Sequence, residues 1–159
     1  MAATTRDSTL YAKLHTNKYV GKSTDRLGRA VPIPFQHTVV SGETGGASAG
    51  VWDIVNLCVI PANAMVVAID LAANAIWASA GTNGTFEIGD SGDTDRYVTA
   101  VESYSAVGPI ATEKVYAGLA FTGQNYIPTA DAIVTLTWKA ANPVVGKIVK
   151  GVVWVVLAE

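Results

Sequence analysis

The sequence predicts an all-β protein, a two-sheet antiparallel β-sandwich behind an extended N-terminal arm, and three observations carry that reading. Half of the 159 residues are apolar, with Val and Ala prominent, and 15 are glycine. Charged residues make up 15%, well below the roughly 25% of ordinary globular domains. β-Rich runs recur along the chain between Gly, Pro, Asn and Asp turns, and no long helical period interrupts them. A chain of this length suits one core, large enough to be stable without disulfides.

The organising stretch is N-G-T-F-E-I-G-D-S-G-D-T-D-R-Y-V-T-A-V, Asn83 to Val101. Thr85, Glu87 and Gly89 alternate with Phe86 and Ile88, the period of a half-buried strand. Gly89 to Asp95 is built from residues that supply positive φ or bond their own backbone, so the chain turns there. Arg96 to Val101 resumes a strand, making a hairpin-like unit.

The other elements follow in order. Residues 1–35 read as the arm, with a weak helical signal over Ser8 to Lys18, and V-P-I-P-F ends it because each proline extends its predecessor. The sandwich domain is expected over residues 36–159. Its first strand is Gln36 to Val40, followed by a Gly/Ser loop at 41–50. Val51 to Ile60 is a strand apolar on both faces except at Asp53 and Asn56. Pro61-Ala62-Asn63 turns the chain into Ala64 to Leu71, where Val66, Val67 and Ile69 favour a sheet; Ala75 to Ser79 extends that segment after a break. Lys114 to Ala120 is a further strand. Over Asp131 to Ala140, Ala132, Val134, Leu136 and Trp138 face one way and Ile133, Thr135, Thr137 and Lys139 the other. K-G-V-V-W-V-V-L-A, Lys150 to Ala158, closes the chain, and Val152, Trp154 and Val156 are candidates for an oligomer interface. Eight or nine such strands argue for a sandwich of jelly-roll type.

The net charge of −2 is unevenly spread. Residues 1–38 carry Arg6, Lys13, Lys18, Lys22, Arg26 and Arg29 against Asp7 and Asp25, a net +4, and residues 39–159 carry −6. A basic arm on an acidic body suits an acidic protein surface or a second copy. Six bases without interleaved aromatics make a poor nucleic-acid footprint, so no nucleic-acid partner is expected. No stretch approaches the roughly 18 apolar residues of a membrane helix. The first residues lack the apolar core of a secretory signal, and one cysteine, Cys58, allows no internal disulfide. A soluble protein assembled in a reducing cytoplasm is expected.

Nothing catalytic is expected. His15 and His37 have no Cys, Asp or Glu at metal-ligand spacing, and Cys58 sits in an apolar strand where a packed thiol is the default. Asp90, Asp93 and Asp95 form the sole carboxylate cluster. Calcium takes such oxygens, but the D-x-x-D-x-D order is not an EF-hand loop, and Asp residues capping a turn beside Arg96 explain it. No metal or cofactor is therefore expected. Trp138 and Trp154 read as core residues, with Trp77 the best candidate for an exposed sugar platform.

Four segments carry a resemblance: T-D-R-L-G-R (Thr24–Arg29), L-C-V-I-P-A-N-A (Leu57–Ala64), V-V-A-I-D-L (Val66–Leu71) and G-T-F-E-I-G-D-S-G-D-T-D-R-Y (Gly84–Tyr97). Together, over residues 24–101, they resemble small virion proteins of tailed bacteriophages. The resemblance implies a capsid decoration (cement) protein on the outer shell, assembled in the host cytoplasm. Its expected partners are the major capsid protein, through the basic arm, and copies of itself as a trimer. The alternative is a tail, baseplate or head-fibre component whose sandwich binds a glycan, since fold does not settle role.

Overall fold

The structure, a computed structural model, describes residues 5–7, 30–45, 52–73, 84–103, 113–116, 126–139 and 142–157. Nine strands are present among them and no helix: β1 (Thr5–Asp7), β2 (Ala30–Thr38), β3 (Ile54–Ile60), β4 (Ala64–Ala73), β5 (Gly84–Asp90), β6 (Asp93–Ser103), β7 (Glu113–Tyr116), β8 (Ala132–Trp138) and β9 (Ile148–Leu157). They form a five-stranded sheet, β1-β3-β8-β5-β6, and a four-stranded sheet, β2-β9-β4-β7. The two are called sheet A and sheet B below.

The antiparallel pairs nest. β5 pairs with β6, β4 with β7, β3 with β8 and β2 with β9. One long hairpin, rolled so that successive pairs alternate between two sheets, is the winding of a jelly roll. β1 is added outside this scheme, running parallel to β3 with Thr5, Arg6 and Asp7 opposite Ile54, Val55 and Asn56.

Alternation builds the core between the sheets. From sheet B come Val31, Ile33 and Phe35 of β2, Ala64, Val66, Ile69 and Leu71 of β4, and Val149, Val153 and Val155 of β9; from sheet A come Val55, Leu57, Cys58 and Ile60 of β3, Phe86 and Ile88 of β5, Tyr97 and Val98 of β6, and Val134, Leu136 and Trp138 of β8. Register shifts between Asn56 and Cys58, and between Val66 and Ala68, break the strict alternation in β3 and β4, as bulges do. In β3 the shift lets Leu57 and Cys58, neighbours in sequence, both be buried.

Where strand and expectation differ, the cause is local. β2 begins at Ala30, six residues before the expected Gln36. Pro32 and Pro34 do not stop it because β2 is an edge strand. Both prolines alternate with the core-facing residues, at positions whose missing N–H would have pointed away from β9. The central turn is shorter than expected, only Ser91 and Gly92, so Asp93 and Asp95 belong to β6. The expected helical signal at 8–18, the segment 75–79 and the end of the 114–120 strand lie outside the described residues. In β8, Thr135 and Thr137 are buried as well as the core-facing side chains.

Two close approaches need glycine. A Cβ on Gly89 would strike the backbone of Asp93 and Thr94, because β6 starts by crossing close over β5. At Gly151 a Cβ would meet the Asp70 carbonyl oxygen and lie 2.7 Å from Phe35 Cζ, since the Phe35 ring covers this position of β9. Overpacking against backbone cannot relax through a rotamer. Gly151→Ala is expected to cost about 3 kcal/mol, read as a fall of roughly 8 °C in the thermal midpoint.

Burial pushes the Cys58 thiol up to about 12. The thiolate is the reactive species, so Cys58 should resist Ellman's reagent in the native protein and react stoichiometrically once denaturant unfolds it.

Candidate functional site

Three groups of side chains are built by this fold. The first is the β5–β6 turn. Asp90 is buried, and its Oδ1 accepts the N–H of Gly92 (2.8 Å) and of Asp93 (3.1 Å). Its Oδ2 accepts Arg96 Nε–H at 2.6 Å. The Arg96 guanidinium in turn lies 3.8 Å from the centre of the Tyr126 ring. Asp90 is thus the cap of its own turn, held by donors and not opened toward an ion. Asp93 and Asp95 share a hydrogen bond between carboxyl groups, which, with burial and the charges of Asp93 and Glu87, pushes the Asp95 carboxyl up. Among the described residues no group of three or more His, Cys, Asp or Glu side chains is placed to hold a metal.

The second cluster lies at the end of the sandwich where the β2–β3 loop meets the β8–β9 turn. Glu43, in a stretch that composition marks as flexible, is only 5% exposed. Its carboxylate receives three kinds of donor: His37 Nε2 at 2.9 and 3.0 Å, the Val40 N–H at 2.7 Å, and Trp138 Nε1–H at 2.8 Å. Burial pushes the Glu43 carboxyl up, but the hydrogen bond to His37, the Val40 N–H, the charge of His37 and the indole N–H outweigh it and hold the group below its ordinary value. Around it the loops are stitched by side chains: Asp53 Oδ2 accepts the Thr44 N–H at 2.8 Å, and Asn142 Oδ1 accepts the Gly45 N–H at 3.0 Å. Gly146, at φ 81°, closes the β8–β9 turn, and its N–H donates to the Val39 carbonyl at 2.8 Å. Together these bonds tie the β2–β3 loop to the end of β8 and to the β8–β9 turn.

The third feature is the pair of outer sheet faces, both of which mix apolar and charged side chains. On sheet A, Ile54, Thr137 and Glu87 stand side by side across three strands. Glu87 Oε2 bonds Lys139 Nζ at 2.9 Å and Thr94 Oγ1 at 3.2 Å, and Lys139 Nζ lies 3.6 Å from the centre of the Trp52 ring. Beside this ion pair the face also carries Ile54, Val59 and Ile133, the last 37% exposed. On sheet B, registers place three rungs in line: Pro34–Val152–Asp70, Pro32–Trp154–Ala68 and Ala30–Val156–Met65. Val152, Trp154 and Val156 are half-buried and the β2 residues are exposed. Asp70 accepts Trp154 Nε1–H at 2.8 Å, and Lys114 of β7 stands opposite Asp70 in the same rung. Beyond these rungs Gln36 and Lys150, an opposed pair, end the apolar strip.

Val152, Trp154 and Val156 share one outward face, so Trp154 is not the core residue its strand suggested, while Trp138 is, with no exposed surface. Arg6 is in β1, against β3; Lys13, Lys18, Lys22, Arg26, Arg29 and Trp77 lie outside the described residues. The sequence reading missed Glu43. Its only signal was a His and a Glu six apart at the end of an alternating strand, which composition outweighed.

Glu43 gives the protein an acid limb. Its folded pKa is depressed, so its stabilisation is present above the ordinary value of 4.5 and is lost as pH falls through the lower folded value. Glu43→Gln should cost about 3 kcal/mol at neutral pH and flatten the stability profile below pH 4.5, as read by urea unfolding at a series of pH values.

No protein-family model matches the chain, and no curated protein matches it. Solved structures do share its fold. A chain in the capsid of Ralstonia phage GP4 superimposes with a TM-score of 0.68 at 18% identity, over 96% of this chain and 97% of that one. A chain of the cyanophage Pam1 capsid asymmetric unit aligns with a TM-score of 0.48 at 16% identity, over 87% of this chain and 99% of that one. The first likeness runs from whole chain to whole chain and is one of fold.

Proposed function

We propose that the chain is a non-enzymatic structural protein of a tailed-phage particle, which decorates the capsid surface and stabilises it by binding the major capsid protein. The observation that carries this reading is the whole-chain fold likeness to a chain of a phage capsid. Sequence features support the same reading independently. The four segments that resemble small phage virion proteins fall on the elements that organise the fold: Leu57–Ala64 spans the β3–β4 turn, Val66–Leu71 is in β4, and Gly84–Tyr97 is the β5–β6 hairpin. The polar clusters support it too, because their groups bond one another in turns and loops.

The contact with the capsid protein is assigned to the basic arm. Arg6 lies in the short strand beside β3 and Ala30 opens β2, so the bases at Lys13, Lys18, Lys22, Arg26 and Arg29 occupy a segment anchored to the sandwich at both ends. An acidic patch on the shell would meet five cations whose attachment points are preset. The thermodynamics are those of any ligand that binds only the assembled state: at a hundredfold excess over its Kd it stabilises that state by about 2.7 kcal/mol. The protein acts as a homo-oligomer, with a trimer the expected state, and is assembled with the virion in the host cytoplasm.

Mixing the protein with mature shells that lack it tests the reading. Co-sedimentation should saturate at a fixed stoichiometry, and the shells should survive to a higher temperature. Replacing Lys13, Lys18, Lys22 and Arg26 with Glu should abolish both effects, and added salt should weaken them in the wild type. Absence of binding would reject capsid decoration; saccharide-dependent tryptophan fluorescence in that case would identify the glycan-binding fibre or tail role.

A further inference from the structure

We infer that the β2–β3 loop, residues 40–45, is a proton-operated latch: protonating Glu43 releases it from its end of the sandwich while both sheets stay folded. This goes beyond the decoration reading and does not depend on it.

Glu43 is the side chain of this loop that is carried into the interior, while Val40, Ser41, Gly42 and Thr44 are exposed. Three groups converge on its carboxylate: the Val40 N–H from the loop, His37 Nε2 from β2 and Trp138 Nε1–H from β8. An ionised carboxylate only accepts, so it matches three donors; a protonated one must itself donate. Neither the Val40 N–H nor the indole can take that hydrogen bond. The remaining route would move the imidazole proton to Nδ1, so that Nε2 accepts from the acid. That route is closed. His37 Nδ1 is buried and has no hydrogen-bond partner among the described residues, and an N–H there would be left unsatisfied. An imidazolium at His37 would carry the same stranded N–H and would lose its counter-charge as well.

No neighbouring charge replaces the one that protonation removes. On the elements packed around Glu43, the titratable and charged groups besides His37 are Asp53 ahead of β3, Lys139 beside Trp138, and Lys147 in the β8–β9 turn. Asp53 Oδ2 accepts the Thr44 N–H at 2.8 Å. Lys139 is turned to Glu87 on the outer face of sheet A. Lys147 is half-buried, and its backbone pairs with Val39.

The opening is local because the loop lies outside the ladders. β2 pairs with β9 rung by rung from Ala30 to Thr38, and the apolar core includes no residue of 40–45. The loop's other ties, Thr44 N–H to Asp53 and Gly45 N–H to Asn142, are only part-buried. Its backbone runs S-G-E-T-G-G over 41–46, with Gly42 at φ 84°, and glycine-rich chain gains much conformational freedom on release. The folded Glu43 carboxyl sits below its ordinary 4.5, so the latch is shut at neutral pH and opens as pH falls below 4.5 through that lower value.

The test is hydrogen exchange followed by NMR on the full chain from pH 7 to pH 3.5, corrected for the intrinsic pH dependence of exchange. The Trp138 indole N–H and the Val40 amide report on the latch; the amides of Ile33, Leu136 and Val153 report on the sheets. Below the folded value of Glu43 the opening constant of the latch probes should rise about tenfold per pH unit, the slope of one proton, with the sheet probes unchanged. Glu43→Gln should expose the latch probes already at pH 7 and remove their pH dependence. Asp131→Asn, which alters the acceptor of the Ala62 N–H at the opposite end, should behave as the wild type. Latch probes that stay protected to pH 3.5 would overturn the inference. So would latch and sheet probes that open together, or wild-type protection in Glu43→Gln at pH 7. The wild-type titration decides the matter even if the Gln variant fails to fold.

Discussion

The pairing of the last strand between the second and the fourth is the constraint on which the architecture depends. β9 lies in the middle of sheet B and bonds β2 on one side and β4 on the other along nearly its whole length. Its partners are far away in sequence, so the entropy of closing long loops has to be met before any contact forms. What offsets that cost is that β9 is apolar on both faces. Val149, Val153 and Val155 fill the core, and removing that much hydrocarbon from water contributes on the order of 25 cal/mol per Å². Gly151, under the Phe35 ring, is where the three strands come close enough for the layer to close.

The polar groups serve the same closure at the two ends. At one end the ionised Glu43 is carried into the interior and satisfied by His37, Val40 and Trp138, tying the β2–β3 loop to the last turn of β8. A buried carboxylate without those donors would be costly, so the loop has one low-energy arrangement. At the other end Asp90 fixes the β5–β6 turn, Arg96 reaches Tyr126, and the Ala62 and Asn63 N–H groups donate to Asp131 and to the Pro128 carbonyl. Both ends are held by side chains acting as turn caps, which leaves the outer sheet faces as the surfaces with room for partners. On sheet A that surface carries the Glu87–Lys139 pair beside Ile133, and on sheet B it carries Val152, Trp154 and Val156 with Asp70 and Lys114 at one edge.

Much of this was legible in the chain. Alternation located β5 and β8 because a strand exposes every second residue to the same environment, while β6 and β9 were legible as β-rich runs between turns. Pro61-Ala62-Asn63 and the stretch Gly89 to Asp95 marked turns because Pro, Asn and Gly adopt backbone geometry that other residues resist; Asn63 sits at φ 61°, and only Ser91 and Gly92 of the second stretch lie outside the strands. Other features could not be read locally. The tolerance of β2 for two prolines depends on its being an edge, which is a property of the sheet and not of the strand. β1 is three residues long and pairs with β3 only through tertiary placement. Glu43 looked like part of a polar loop, since its burial depends on Trp138, a residue 95 positions away.

By itself the sequence determined the all-β class, most of the strands, and the basic first 38 residues ahead of an acidic remainder. These follow from periodicity, turn chemistry and charge, all of which act over a few neighbouring residues. The tertiary structure decided which strands are neighbours and therefore which face of a doubly apolar strand is core. In β9 the pattern V-V-W-V-V offers two equivalent choices, and only the sheet opposite assigns Val153 and Val155 to the interior and Val152, Trp154 and Val156 to the outside. That assignment is a matter of what packs against what at long range, so no local signal could have contained it.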